Sequence, residues 1–284
     1  MPVELLMQEV EGRDPARIIP RGKTFKTSNE YSNAWLSLAD NNLDKATDMW
    51  LDTRNPRDVI YGAHDFRRFV TEEWLDPTLN HGPFVLMHGD LSFHGGNLAW
   101  DENYRLRAVL DWEWSYVVPV QHFVPPLWLI GFYDVPELAV RKSSWMWEVQ
   151  VLRHAIKARE KMRGVPPHLS GEWEKMEEWP HTIIALGLLR PESIHHVYWD
   201  FLSCQISGLD TDPEHDLEKH VKIMTERIDE FFKDTPSAEA LLARKVEEQK
   251  QFDEEFEKYR EEMADASEEC QCVGCKQDGV SVPI

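Results

Sequence analysis

Nowhere in these 284 residues does an apolar run approach the roughly 20 positions that a membrane-crossing helix needs. The N-terminus, MPVELLMQEVEGRD, is acidic where a secretory signal needs a basic start and an unbroken apolar segment, so a cytoplasmic location is expected. Positive charge is scarce. Only 31 Lys and Arg stand against 51 Asp and Glu, giving a formal charge of −20 and a pI near 5.0. That balance argues against nucleic acid, whose phosphates would be repelled, and no membrane partner is expected either. Cysteines are few, at four. Cys204 lies in the mixed stretch YWDFLSCQI and reads as a small buried side chain. Cys270, Cys272 and Cys275 form C-x-C-x-x-C in a polar tail, one ligand short of a closed zinc site, and read as an incidental cluster or a place of reversible oxidation. No internal repeat is visible.

What the chain does hold is apolar bulk, with 42% hydrophobic residues, 12 Trp and 12 Phe, enough for a sizeable core. Its length suits one large domain or two small ones. Thr27-Ser-Asn-Glu30 matches a capping box, and Tyr31, Ala34, Trp35 and Leu38 follow at helical spacing. A second helix is predicted over 57–70, with Val59, Ala63, Phe66 and Val70 on one side, ending before Asp76-Pro77. The period then changes. Residues 83–88, 97–100 and 106–110 read as short strands, the last two joined by the polar turn 101–104. Helices resume over 143–162, 181–189, 193–206 and 216–232. The expected class is α+β, a mainly helical body carrying a small β insert.

The tail differs. Residues 236–284 carry 13 acidic and 6 basic residues, and Leu242, Val246, Phe252, Phe256, Tyr259 and Met263 give a charged helix over 236–267 one apolar edge. Such an edge reads as a solvated terminal helix or, alternatively, as a protein-contact surface. Residues 268–284 are expected to be disordered.

The chemistry concentrates in HGDLSFHGGNLAWDENYRLRAVLDWEW, residues 88–114. Asp90 follows a strand and a glycine, so a turn presents its carboxylate, suited to orienting a hydroxyl and accepting its proton. Asp111 ends the apolar run RAVL, where a hard oxygen ligand suits Mg2+, and Asn97 can add a neutral carbonyl oxygen to the same ion. His88 is read as bracing the loop rather than acting as a base. A lone strand-end Asp is usually a turn residue; this order on strand, turn and strand is far more specific.

HGDL, then Asn97-Leu-Ala-Trp-Asp101, then Val109-Leu-Asp-Trp-Glu113 resembles the catalytic loop and metal-binding segment of the aminoglycoside phosphotransferase and choline kinase-like family. The resemblance implies a protein-kinase-like fold that moves the γ-phosphate of ATP to a small-molecule hydroxyl. It also implies Asp90 as catalytic base, His88 as its brace, Asn97 and Asp111 as Mg2+ ligands, and ATP and Mg2+ as cofactors. The continuation DWEWSYVVPVQHFVPPLWL resembles the fungal branch. Residues 5–12 look like the hinge strand that joins the two kinase lobes, where Met7, Glu9 and Val10 would meet the adenine. On that reading residues 1–23 are hinge and linker, and 24–235 form a C-terminal lobe.

Two departures set expectations about activity. Kinase-type loops place the Asn five positions after the Asp, whereas Asp90 and Asn97 are seven apart, with Gly95-Gly96 the natural site of the two extra residues. If residues 1–12 are the hinge, the N-terminal lobe with its phosphate-gripping Lys is absent, and Lys23 and Lys26 follow the hinge and cannot replace it. An impaired phosphotransferase is therefore expected. The alternative is a catalytically inactive binding or scaffold module, contacting protein through the exposed cleft or the 236–267 helix.

Overall fold

The structure, a computed structural model, describes residues 19–20, 22–45, 55–91, 96–125, 135–175, 181–206, 208 and 213–269. The expected hinge residues Met7, Glu9 and Val10, together with Cys270, Cys272 and Cys275, lie outside them, and so does most of the expected hinge and linker over 1–23. The described part is mainly helical with a small β portion.

Helix α1 (Ser28–Lys45) begins as its sequence dictates. Thr27 Oγ1 accepts the Glu30 N–H at 3.1 Å, and the Glu30 carboxylate reaches back to the Lys26 N–H at 2.9 Å, one residue beyond the usual return partner of a capping box. Helix α2 (Pro56–Phe69) uses Asn55 as its cap, accepting from the Arg57 N–H, with Pro56 in the first turn where no donor is missed. Its last turn widens into a π-turn, Val70–Trp74.

Beyond this lie four strands. β1 (Phe84–Met87) pairs antiparallel with β4 (Tyr116–Pro119), and β2 (Leu98–Trp100) pairs antiparallel with β3 (Leu106–Val109). β4 has no counterpart among the expected strands. Its two buried residues, Val118 and Pro119, lie next to the buried Val120, and Gln121 bonds the Trp74 carbonyl and the Asp76 N–H, so this strand moors the insert to the body. His122 Nε2 meets Ser32 Oγ at 2.8 Å, and the Trp173 indole donates to the Phe123 carbonyl, fixing the exit from the insert on two sides.

The remaining helices are α3 (Val135–Arg163), α4 (His168–Lys175), α5 (His181–Leu189), α6 (Ile194–Val197), α7 (Ser203–Ile206), α8 (Pro213–Asp234) and α9 (Pro236–Glu269). α3 starts eight residues before its expected start and is kinked at Arg141. Residues expected as one helix over 193–206 instead run through a second π-turn, Tyr198–Leu202. That turn faces α2. Tyr198 donates to Asp65 at 2.8 Å, the Trp199 indole donates to the Asp58 carbonyl, and Gly62 lies so close under Trp199 that a Cβ would meet its Nε1 at 2.8 Å. The core runs through Trp35, Phe66, Trp145, Ile183, Tyr198 and Phe232, all essentially inaccessible.

Candidate phosphotransfer site

The register of the two strand pairs assembles the site. Met87 pairs with Tyr116 and Leu98 pairs with Val109. The segments leaving β1, entering β2, leaving β3 and entering β4 therefore all come off matched ladder ends. Those segments carry His88 and Asp90, Asn97, Asp111, and Trp112–Trp114 respectively.

Two side chains tie these segments together through backbone carbonyls. Asn97, buried, donates its Nδ2–H to the Asp90 carbonyl oxygen. His88, buried, places Nε2 2.7 Å from the Leu110 carbonyl oxygen, immediately before Asp111, and its ring lies 4.8 Å from that of Trp112. The Leu110 N–H in turn donates to the Asn97 carbonyl at 2.9 Å. His88 thus occupies the position of a brace, in contact with backbone on one side and an indole on the other.

Asp111 has φ 61° and ψ 50°, the left-handed region that costs a non-glycine residue energy and is retained where surrounding structure enforces it. Enforcement comes from both sides: the Leu110 bonds precede it, and the Trp112 indole donates back to the Val109 carbonyl at 2.8 Å. Gly89 is required by proximity, since a Cβ there would run into the Trp114 carbonyl oxygen. Gly96, at φ 76° with open space around it, supplies the turn into β2, while His94 and Gly95 lie outside the described residues.

The carboxylates of Asp90 and Asp111 are exposed. Asn97 Nδ2 is committed to the Asp90 carbonyl, so the oxygen donors by which these residues could hold Mg2+ are the amide oxygen of Asn97 and the carboxylate of Asp111. Among the described residues no group of three or more His, Cys, Asp or Glu side chains is placed to hold a metal, so any ion here depends on this carboxylate and amide plus phosphate oxygens and water. Two cavities, of about 590 and 820 Å3, lie in the helical body, and no residue of the β insert lines either.

The arrangement is a turn carboxylate, an amide and a strained strand-end carboxylate on one frame. Residues 10–122 match the family model of the phosphotransferase enzyme family, APH. No curated protein and no solved structure gives a match. The matched segment contains every residue named above, which supports the aminoglycoside phosphotransferase and kinase-like resemblance over that part of the chain. It ends at His122, whose ring meets Ser32 of α1.

Sequence reading missed Gly89, the Leu110 carbonyl and the positive φ at Asp111. For Gly89 a signal existed, a glycine between two chemically committed residues. For the other two none did, because a carbonyl's partner and a backbone angle leave no mark on residue type.

Proposed function

We propose that residues 88–114 form an ATP- and Mg2+-dependent site for phosphate transfer to a small-molecule hydroxyl, and that it turns over slowly in this chain. The observation that carries this reading is the pair of side chain to backbone bonds, Asn97 to the Asp90 carbonyl and His88 to the Leu110 carbonyl. They bind the two carboxylates into one frame without using either carboxylate to do so.

In that frame Asp90 orients the acceptor oxygen and accepts its proton as that oxygen bonds the γ-phosphorus and the bond from phosphorus to the bridging oxygen breaks, releasing ADP. Asn97 and Asp111 offer the oxygen ligands, and Mg2+ bound there would draw charge from the transferring phosphoryl group. His88 and Gly89 are positioning residues. Slow turnover follows from two features. The Asp90-to-Asn97 segment is two residues longer than the kinase pattern, and displacement of about 1 Å can cost on the order of 100-fold in rate. Both carboxylates also face water, where fixed charges stabilise a transition state less than in a dry site.

Calorimetric titration with Mg·ATP, paired with a phosphate-transfer assay over a panel of amino alcohols and aminoglycosides, tests the reading. Expected are Mg2+-dependent nucleotide binding that Asp111→Asn weakens at least about tenfold, and low turnover that Asp90→Ala abolishes. Binding indifferent to Mg2+ and to Asp111→Asn would overturn the site. Intact binding with turnover no higher than the Asp90→Ala control would instead favour a catalytically silent binding module. Turnover near the enzyme median of about 10 per second would remove the claim of slowness.

A further inference from the structure

Two helices of this chain turn apolar, oppositely charged faces to solvent. The outer face of α3 presents Val151, Ala155, Ala158 and Met162, all exposed, at alternating steps of four and three residues. Val165 continues the line past the helix end. Met162 is 76% exposed, a large value for so apolar a side chain. From Val151 to Arg163 five basic residues stand against one acidic. Arg159 and Lys161 flank the apolar line directly and form no ion pair with any described residue. The outer face of α9 mirrors this. Phe252, Phe256, Tyr259 and Met263 recur at steps of four, three and four, with Phe252 and Phe256 stacked at 5.9 Å and the last three half or more exposed. From Glu247 to Glu269 eleven acidic residues stand against three basic. α9 is anchored only near its start, where Ala238 and Lys245 are buried, and beyond Phe252 every residue with a described side chain is exposed.

Steps of three and four are the repeat of helices that pack side by side, with the positions next to the seam setting the choice of partner. We propose that a second copy of this chain covers both faces, α9 of one copy lying antiparallel on α3 of the other. One register satisfies the whole pattern. It sets Val151 opposite Met263, Ala155 opposite Tyr259, Ala158 opposite Phe256 and Met162 opposite Phe252, so that small residues receive the aromatic ones. The same register brings Arg159 to Asp253 and Lys161 to Glu255 along the two edges, opposite charges on both sides of the seam. Pairing α9 with a second α9 has no such advantage. It would bring together two stretches that each carry a net −8, and one edge would set Glu255 against Glu262 while only the other, Asp253 with Arg260, would attract. Because every copy carries both faces, a two-fold pair makes the contact twice and closes.

The test is the mass of the full chain in solution by sedimentation equilibrium, with circular dichroism confirming that each variant keeps its helix content. The wild-type chain is expected to dimerise at about 100 μM in low salt and to weaken as salt shortens the reach of charge. Two charge reversals follow, Arg159→Glu with Lys161→Glu on α3, and Asp253→Lys with Glu255→Lys on α9. Each alone is expected to weaken dimerisation by at least about tenfold, since like charges then face across the seam. Mixing the two reversed chains restores a mixed dimer in which both contacts are again attractive. Phe256→Gln weakens association without touching charge. A wild-type chain that remains monomeric, dimerisation indifferent to either reversal, or failure of the mixed pair to recover each overturns the proposal.

Discussion

The helical body and the β insert treat their polar groups in opposite ways. In the body the telling carboxylate is buried and paired: Asp65, 5% exposed, accepts from Tyr198 at 2.8 Å and from Arg68 at 2.7 Å. Burial and the Asp65 charge push the Tyr198 hydroxyl far above its ordinary range, so it stays a donor, and the same carboxylate holds the Arg68 guanidinium charged. In the insert the carboxylates of Asp90 and Asp111 face water, while buried His88 and Asn97 bond backbone carbonyls. The body spends its polar side chains on stability and the insert spends them on aim. A carboxylate that must meet a substrate has to be left unpaired, and its placement then depends on the main chain being held by something else.

The widest separation between the regions is expected in stability. Phe66→Ala removes a fully buried ring from the body and is expected to cost about 3–5 kcal/mol by urea denaturation, whereas Leu86→Ala, 57% exposed on β1, stays within about 0.5 kcal/mol. Equal losses would erase the distinction. Next in size is Gly89→Ala, which forces apart the two loops of the insert. Mg·ATP titration and transfer assays should show a loss on the order of 100-fold, with the urea midpoint nearly unchanged. A variant that unfolds instead would make Gly89 a residue of the body in all but position. Tyr198→Phe leaves a buried Asp65 oxygen without its donor and is expected to cost about 1–3 kcal/mol, with no change in nucleotide binding.

The smallest effect is in pH. Burial holds the imidazoles of His64 and His220 below their ordinary 6.5, with the neighbouring Arg67 and Arg68 adding to it at His64 and Arg227 at His220, and the Asp65 charge opposing it at His64. The unfolded chain therefore takes up protons first as pH falls. Stability is full above about 6.5 and declines below it, toward the lowered folded-state values. Urea midpoints at about pH 7.5 and 5.5 should show that decline, and His64→Gln with His220→Gln should flatten part of it. A midpoint that rises on acidification would reverse the assignment.

How much of this was legible in the residues follows the same division. The helices of the body were readable because apolar residues at Trp35 and Leu38, or at Val59 and Phe66, repeat with the helical period. The π-turn at Tyr198–Leu202 was not, since it arises where Gly62 lets α2 approach Trp199. In the insert, the spacing of Asp90, Asn97 and Asp111 revealed the site because chemistry restricts residue type there. β4 escaped notice because its four residues, YVVP, follow one residue after the Asp-Trp-Glu-Trp turn and only pairing with β1 defines them. The apolar edge of the last helix was visible from Leu242 to Met263, but its counterpart on α3 was not, because exposure rather than sequence separates the outer face from the buried Trp145 and Val149.

The fit between Gly89 and Trp114 has a consequence for descent. A side chain at 89 collides with the Trp114 carbonyl whatever residue stands at 114, so no substitution at 114 makes room for one. A lineage that no longer needs phosphate transfer is therefore expected to lose Gly89 along with the exposed Asp90 and Asp111, since Gly89 serves the aim of the site and not the stability of the fold.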